Sequence, residues 1–190
     1  MADTSGPADV ADRFLLPDGT PARLRALVAG DRQLLRDMYA ALSQASRYRR
    51  FLATLPWLPE PTLDYLLGTV DQINHVAVVL LAPAGRPGER AVGIGRIARN
   101  PDDPTTADIG ISVADDWQGR GIGSALARAL VTHRPVGVTR LVSLVAEDNT
   151  ATFAIQARLG AVTRIPAGSG VYEVTIALAD YRPPSPSPDS

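Results

Sequence analysis

Three glycines lie within five positions of the sequence, in the segment QGRGIG at 118–123. Glycine has no side chain to keep a ligand from the backbone, so consecutive N–H groups can converge on an anion. The apolar pattern of a helix follows directly, and a helix N-terminus adds about half a positive charge. Arg120 supplies a full charge. The segment therefore predicts a binding site for a phosphate-bearing ligand, formed by Gln118, Gly119, Arg120, Gly121, Ile122, Gly123 and Ser124.

Two common phosphate-binding loops differ from this segment. A nucleoside triphosphate loop has a lysine and then Ser or Thr after its last glycine. Here Gly123 is followed by Ser124 and an alanine, which excludes that class. A dinucleotide loop, G-x-G-x-x-G, follows directly on the first strand of its fold, whereas here five residues separate Val113 from Gly119. Glu147, at the end of the next predicted strand, keeps the dinucleotide alternative open.

The elements that must position this loop change in character along the chain. Helical spacing predominates before residue 75, and strands alternate with loops and helices after it. The predicted strands are 22–27, 75–82, 91–99, 107–113, 140–146, 161–165 and 171–178, and the predicted helices follow Asp31 or lie at 46–55, 59–70, 122–133 and 149–160, the last ended by Gly160. An antiparallel hairpin followed by a β-loop-α-β crossover indicates an α/β (α+β) domain with a mixed, mostly antiparallel sheet of six or seven strands, flanked by helices.

Length and composition predict a single domain. The 190 residues fit one core, and we assign it to 20–180. Residues 1–19 are rich in Asp, Pro and Gly and are predicted to be flexible. Residues 181–190 alternate Pro with Ser and are predicted to be disordered, because such a segment cannot bury apolar area.

Composition also excludes several classes of function. The net charge of −1 gives no field that would attract nucleic acid or an anionic membrane. Cysteine is absent, which excludes disulfides, thiolate metal sites and a cysteine nucleophile. His75 and His133 are far apart, so we expect no metal site. The start lacks a secretory signal pattern, and the longest apolar run is well short of the roughly 20 residues of a membrane span. We expect a cytoplasmic protein, monomeric or homodimeric.

Two longer stretches of the sequence resemble the GNAT N-acetyltransferase superfamily. ADIGISVADDWQGRGIGSALARAL (107–130) resembles its strand, bulge, glycine loop and helix. AEDNTATFAIQARLGA (146–161) resembles its segment N-x-x-A-x-x-hydrophobic-Y-x-K-x-G-F. Shorter stretches, LSQASRYRRF, VGIGRIAR and DDWQGRGIG, are similar to the acetyltransferase domain of bacterial Pat-type protein-lysine acetyltransferases. The resemblance implies the GNAT fold and transfer of acetyl from acetyl-CoA to a primary amine.

The resemblance also implies roles for the residues at matching positions. The glycine segment would bind the pyrophosphate of acetyl-CoA, and the backbone of Ile111, Ser112 and Val113 would pair with the pantetheine arm. The Val113 N–H would polarise the thioester carbonyl. Asn149 matches an asparagine that contacts the pantetheine, although a helix N-cap explains it equally well. Asp108 takes the position of a glutamate that acts as the base in many members, directly or through water.

Three positions affect the expected chemistry. Gln156 stands where the family has a tyrosine that can protonate the leaving thiolate, and Ala161 stands where a phenylalanine is usual. Glutamine is no such proton donor, so either the thiolate leaves unaided or another residue acts, with Tyr172 as the candidate and packing as its alternative. Asp108 is one methylene shorter than glutamate, which favours a water relay.

The sequence indicates the amine acceptor less clearly than it indicates the acetyl donor. We expect protein lysine, with a small-molecule amine or antibiotic as one alternative and a non-catalytic acyl-CoA-binding module as another. The helices near 31–70 and the last hairpin would set acceptor specificity. Arg47, Arg49 and Arg50 are expected to form a solvated helix face. The alternatives are that this cluster meets an acidic acceptor surface, or that Arg50 and Phe51 line the cleft.

Overall fold

The structure is a computed structural model that describes residues 12–53 and 55–178. The strands are β1 (Asp12–Leu15), β2 (Pro21–Ala26), β3 (His75–Ala82), β4 (Arg90–Arg99), β5 (Thr106–Val113), β6 (Arg140–Ala146), β7 (Ala161–Gly168) and β8 (Val171–Ala177). The helices are α1 (Arg32–Ala40), α2 (Gln44–Phe51), α3 (Glu60–Gly68), α4 (Ile122–Thr132) and α5 (Thr150–Gln156). The prediction for 181–190, and that for the first eleven residues, lies outside the described residues.

All eight strands form one sheet in the order β1-β2-β3-β4-β5-β6-β8-β7. Every neighbouring pair is antiparallel except β5 and β6, which are parallel. The predicted mixed, mostly antiparallel sheet is confirmed. The additional strand is β1, which lies within the segment predicted to be flexible and pairs along its whole length with β2.

Helices cover both faces of this sheet. The residues of β3 are buried on both sides: alternate residues from Val76 pack with α4, and those from Ala77 pack with α1 and α3. Gly93 and Gly95 of β4 let α4 lie close, since a Cβ on either would be 2.8 Å from a leucine Cδ1 of that helix. The sheet is therefore the middle of three layers.

Strands β5 and β6 separate partway along their length. They pair only from Thr106 opposite Arg140 to Asp108 opposite Val142, although β5 continues to Val113 and β6 to Ala146. Beyond Asp108, the edge of β5 that faces β6 is open. This separation positions the site described below.

Gly160 has a different role from the predicted one. Helix α5 ends at Gln156, with Ala157 as its C-cap, so Gly160 is not the residue that terminates it. A Cβ on Gly160 would lie only 1.9 Å from the carbonyl oxygen of Ala177 in β8. The glycine is required because the chain passes so close to the backbone of β8.

Replacing Gly160 by alanine should destabilise the fold by about 1–3 kcal/mol or more, because backbone atoms cannot move aside as a flexible side chain can. Chemical denaturation monitored by circular dichroism measures the change. Gly68→Ala is the matched control, since a Cβ there meets nothing within 4 Å. Equal stability of the two variants would contradict the close approach.

Within the described residues, no helix has the length and apolar character needed to cross a membrane.

Candidate functional site

A cleft of about 900 Å³ opens where β5 and β6 separate. Its walls come from both strands, from the glycine segment, from the start of α5 and from the end of α2. All but one of the residues predicted to bind the phosphate-bearing ligand line it, the exception being Arg120.

The glycine segment forms one end of this cleft. Gly119 and Gly121 have φ values of +77° and +80°, which strongly favour glycine. Gly121 is the N-cap of α4 and brings no capping side chain, so the first N–H groups of the helix remain available to an anion. Gly123 lies close to α5, since a Cβ there would be 2.9 Å from Ile155 Cδ1. The segment therefore presents backbone N–H groups to which an anion can bind.

Two side chains of the segment make contacts of their own. Gln118 Nε2 donates to the carbonyl oxygen of Val113 at 3.2 Å and so ties the loop to the end of β5. The Arg120 guanidinium lies over the Trp117 ring, with its Cζ 4.5 Å from the centroid. Arg120 also forms an ion pair with Asp18 in the β1–β2 turn, at 3.4 Å. Asp18 therefore pairs with the positive charge of Arg120, which the sequence analysis expects to interact with the anionic ligand.

Replacing Asp18 by asparagine should tighten the binding of a phosphate-bearing ligand, probed with acetyl-CoA, by about two- to fivefold. The long, exposed ion pair contributes little, but its removal leaves Arg120 fully available to an anion. Isothermal titration calorimetry measures the affinity, with Asp102→Asn as a control that removes an exposed charge outside the cleft. Unchanged or weaker binding in Asp18→Asn alone would contradict competition by Asp18.

Asp108 lies at the point where β5 and β6 separate and lines the cleft. Partial burial raises the pKa of its carboxyl, and the nearby Arg96 guanidinium opposes part of that rise. Asp108, Gly110 and Ser112 share one face of β5 because side chains alternate along a strand. The carboxylate is thus within the cleft, at the opposite end of the open segment from the glycine loop.

The open segment of β5 presents backbone groups to the cleft. The Ala114 N–H donates to the carbonyl oxygen of Val92 in β4 at 2.9 Å. Because N–H directions alternate in a strand, those of Ile111 and Val113 point to the open edge. Ser112 also lines the cleft.

The candidate residues on the β6 side differ in whether they line the cleft. Asn149 is the N-cap of α5 and accepts from the Thr152 N–H at 3.2 Å, which confirms the capping role, and it also lines the cleft. Gln156 is buried and donates to Ser143 Oγ at 2.8 Å; both line the cleft. Tyr172 packs edge-on against Phe153, with ring centroids 6.2 Å apart, and does not line the cleft.

Sequence reasoning misjudged the arginines of α2. Arg49 pairs with Asp148 at 2.6 Å and links α2 to the loop before α5. Arg50 points into the cleft and lies against Gly110, so a solvated face is the wrong description for it and the alternative holds. Arg96 of β4 lines the cleft too and was missed. The available signal was Gly110, a glycine inside a strand pattern, which often marks a close approach.

The chain matches the family model described as acetyltransferase (GNAT) domain over residues 22–162. It is 35% identical over 168 residues to acetyltransferase Pat of Mycolicibacterium smegmatis, which covers 86% of this chain and 48% of that protein. The chain thus spans about half the length of this curated relative. The match favours the acetyl-CoA interpretation of the glycine loop over the dinucleotide one.

Solved structures agree with this match. The GNAT domain of S. lividans PAT superposes with a TM-score of 0.76 at 25% identity, covering 92% of this chain and all of that one. A cAMP-binding acyltransferase from Mycobacterium smegmatis gives a TM-score of 0.59 at 25% identity, covering 92% of this chain and 51% of that one. The fold is that of a GNAT domain.

Proposed function

Since the chain belongs to the GNAT acetyltransferase family, we propose that it transfers acetyl from acetyl-CoA to a primary amine, with protein lysine as the favoured acceptor. The observation that carries this proposal is the open segment of β5, which runs from the Asp108 carboxylate to the uncapped N-terminus of α4. The α4 end can bind an anion, and the other end carries a proton acceptor, Asp108. No covalent enzyme intermediate is needed.

The glycine segment and the backbone of β5 would hold and polarise the donor. The N–H groups of 118–124 bind the pyrophosphate. The pantetheine arm joins the pyrophosphate to the thioester, so it pairs with the outward N–H nearer the glycine segment, that of Val113, alongside Asn149. Acetyl-CoA supplies an activated acetyl group as a thioester. The Ile111 N–H lies nearer to Asp108 than the Val113 N–H that the resemblance implies, and it donates to the thioester carbonyl oxygen, where negative charge develops during attack.

Asp108 would remove the proton that makes the amine unreactive. An alkylammonium with a pKa of about 10.4 is almost wholly protonated at neutral pH. The ammonium passes one proton to Asp108 through water, the freed amine nitrogen forms a bond to the acetyl carbon, and the carbon–sulfur bond breaks with its electron pair on sulfur. The second proton of the nitrogen passes to water as the amide forms. A water relay suits the short aspartate side chain.

The residues near the departing sulfur would not protonate it. Gln156 is tied to Ser143 and has no acidic proton, and the packing of Tyr172 argues for a structural role. A thiol with a pKa of about 8.5 can leave as the thiolate. Gln156 is also the observation that favours a second candidate, a non-catalytic acyl-CoA-binding module.

Release of CoA, followed with a thiol reagent over peptides and small amines, separates these functions. The protein has no cysteine, so the reagent reports CoA alone. All 19 basic side chains are arginines, so acetyl-lysine found by mass spectrometry belongs to the acceptor. We expect acetylated lysine peptide. Acetylation of small amines alone would show that the acceptor is a small-molecule amine and not protein lysine. Binding of acetyl-CoA without turnover on any acceptor would favour the non-catalytic acyl-CoA-binding module.

A further inference from the structure

Two arginines lie beside the same part of β5. Arg50, near the end of α2, lies flat against Gly110: a Cβ there would be 2.6 Å from its Nη2 and 2.7 Å from its Cζ. Arg96 of β4 is directly opposite Gly110 in the β4–β5 register. Both side chains line the cleft. The absence of a side chain at Gly110 makes room for the first of these charges.

Neither of these charges has a carboxylate partner. Among residues 12–53 and 55–178, no ion pair includes Arg50 or Arg96, although half of the other arginines there have one. Burial lowers the pKa of Arg50 to about 10, and repulsion from Arg96 adds to this effect. A desolvated cation without a partner is costly. The pair is therefore complementary to an anion that comes from outside the chain.

The groups around the pair compensate only part of its charge. The Arg50 Cζ is 4.9 Å from the centroid of the Phe51 ring, and the Arg96 Cζ is 5.4 Å from that of Tyr65. Such contacts with aromatic faces are weak. Asp108 is the one carboxylate whose charge acts on Arg96. Two cations thus face one anion.

The location of the pair identifies which ligand would bring the missing anion. Arg96 and Gly110 lie next to the position of Asp108 in the strand ladder, with Ala98 opposite Asp108. An anion held here would be beside the proposed base and away from the glycine segment. It therefore belongs to the acceptor rather than to the pyrophosphate.

We propose that Arg50 and Arg96 form a subsite for a carboxylate that the acceptor carries close to its reacting amine. The inference rests on the proposed amine acetyltransfer. Guanidinium groups suit a carboxylate because their planar donors match its two oxygens. The carboxylate can come from an acidic residue beside a lysine or from a small amino acid, and both sources present the same group.

Binding of matched probes tests the subsite without requiring turnover. The protein is labelled with ¹⁵N-arginine, and the Nε–H signals of the pair are assigned with Arg50→Lys and Arg96→Lys. The probes are a blocked Gly-Glu-Lys-Gly peptide with its Gln analogue, and 4-aminobutyrate with its amide. We expect the acid of at least one pair to move both signals and to bind about tenfold more tightly than its neutral partner. The pair that responds identifies the source.

Signals that stay in place with both acids, or move equally with their neutral partners, would overturn the subsite. Arg86→Gln, in the exposed β3–β4 turn, is the control variant and should keep the preference that Arg96→Gln loses. If the wild type prefers the acid but releases no CoA with any amine, the subsite stands and the proposed acetyltransfer fails. If CoA is released at the same KM for acid and neutral acceptors and the signals do not move, the proposed acetyltransfer stands and the subsite fails.

Discussion

Replacing Asp108 by asparagine should lower kcat/KM for an amine acceptor by about 10²–10⁴-fold, the usual contribution of a positioned general base. Asparagine keeps the size and the hydrogen-bonding reach of the side chain but cannot accept the proton. Affinity for acetyl-CoA should stay near that of the wild type, because the glycine segment lies at the other end of the cleft. Steady-state CoA release and titration calorimetry measure the two quantities.

The pH dependence provides a second measurement of the same residue. The base acts as a carboxylate, so wild-type kcat/KM should fall as the pH drops through the pKa of Asp108, which burial raises above its ordinary value. Asp108→Asn should lose this acid limb.

Two matched variants make the Asp108 result interpretable. Asp108→Glu should retain substantial activity, because the longer carboxylate can reach the amine without a relayed water. Asp102→Asn removes a charge outside the cleft and should behave as the wild type. Full activity in Asp108→Asn, with an unchanged pH profile, would remove Asp108 from the mechanism.

Replacing Gly121 by glutamate should weaken acetyl-CoA binding by about 100-fold or more. The new carboxylate would lie where the pyrophosphate is expected, and like charges brought together cost several kcal/mol. The backbone adds strain, since φ is +80° and a Cβ would lie 3.1 Å from Pro17 Cγ. Titration calorimetry measures the loss.

The control for Gly121 is Gly137→Glu. Gly137 has φ of +87°, and a Cβ there meets nothing within 4 Å, so this variant carries the same charge and backbone strain outside the cleft. It should bind acetyl-CoA like the wild type. Retained affinity in Gly121→Glu, with the fold intact by circular dichroism, would exclude the glycine segment as the pyrophosphate site.

The sequence predicted well those strands and loops whose conformation depends on neighbouring residues in the chain. Strands 75–82 and 140–146 were predicted with the bounds that the structure has, because each is an uninterrupted run dominated by apolar residues. The glycine segment could be recognised because the glycines that its backbone conformation requires are close together in the sequence. Strand β1 was missed because its four residues are mostly exposed and owe their conformation to pairing with β2.

The missed parts depend on contacts between distant segments. A helix pattern cannot reveal that Arg50 leaves the solvated face, since the reason is a glycine sixty positions later in β5. In the sequence Gly160 likewise resembles a helix terminator, because its close contact with the backbone of β8 is visible only in the structure. The glycine end of the cleft could thus be predicted from consecutive residues, whereas the end near Asp108 is assembled from α2, β4 and β5.

A crystal structure of the protein with acetyl-CoA bound tests the central claim most directly. We predict that the pyrophosphate contacts the backbone N–H groups of 118–124, that the acetyl oxygen accepts from the Ile111 N–H, and that Asp108 and Arg96 lie on the acceptor side of the thioester. A pyrophosphate bound elsewhere, or a thioester outside the space between β5 and β6, would contradict the account.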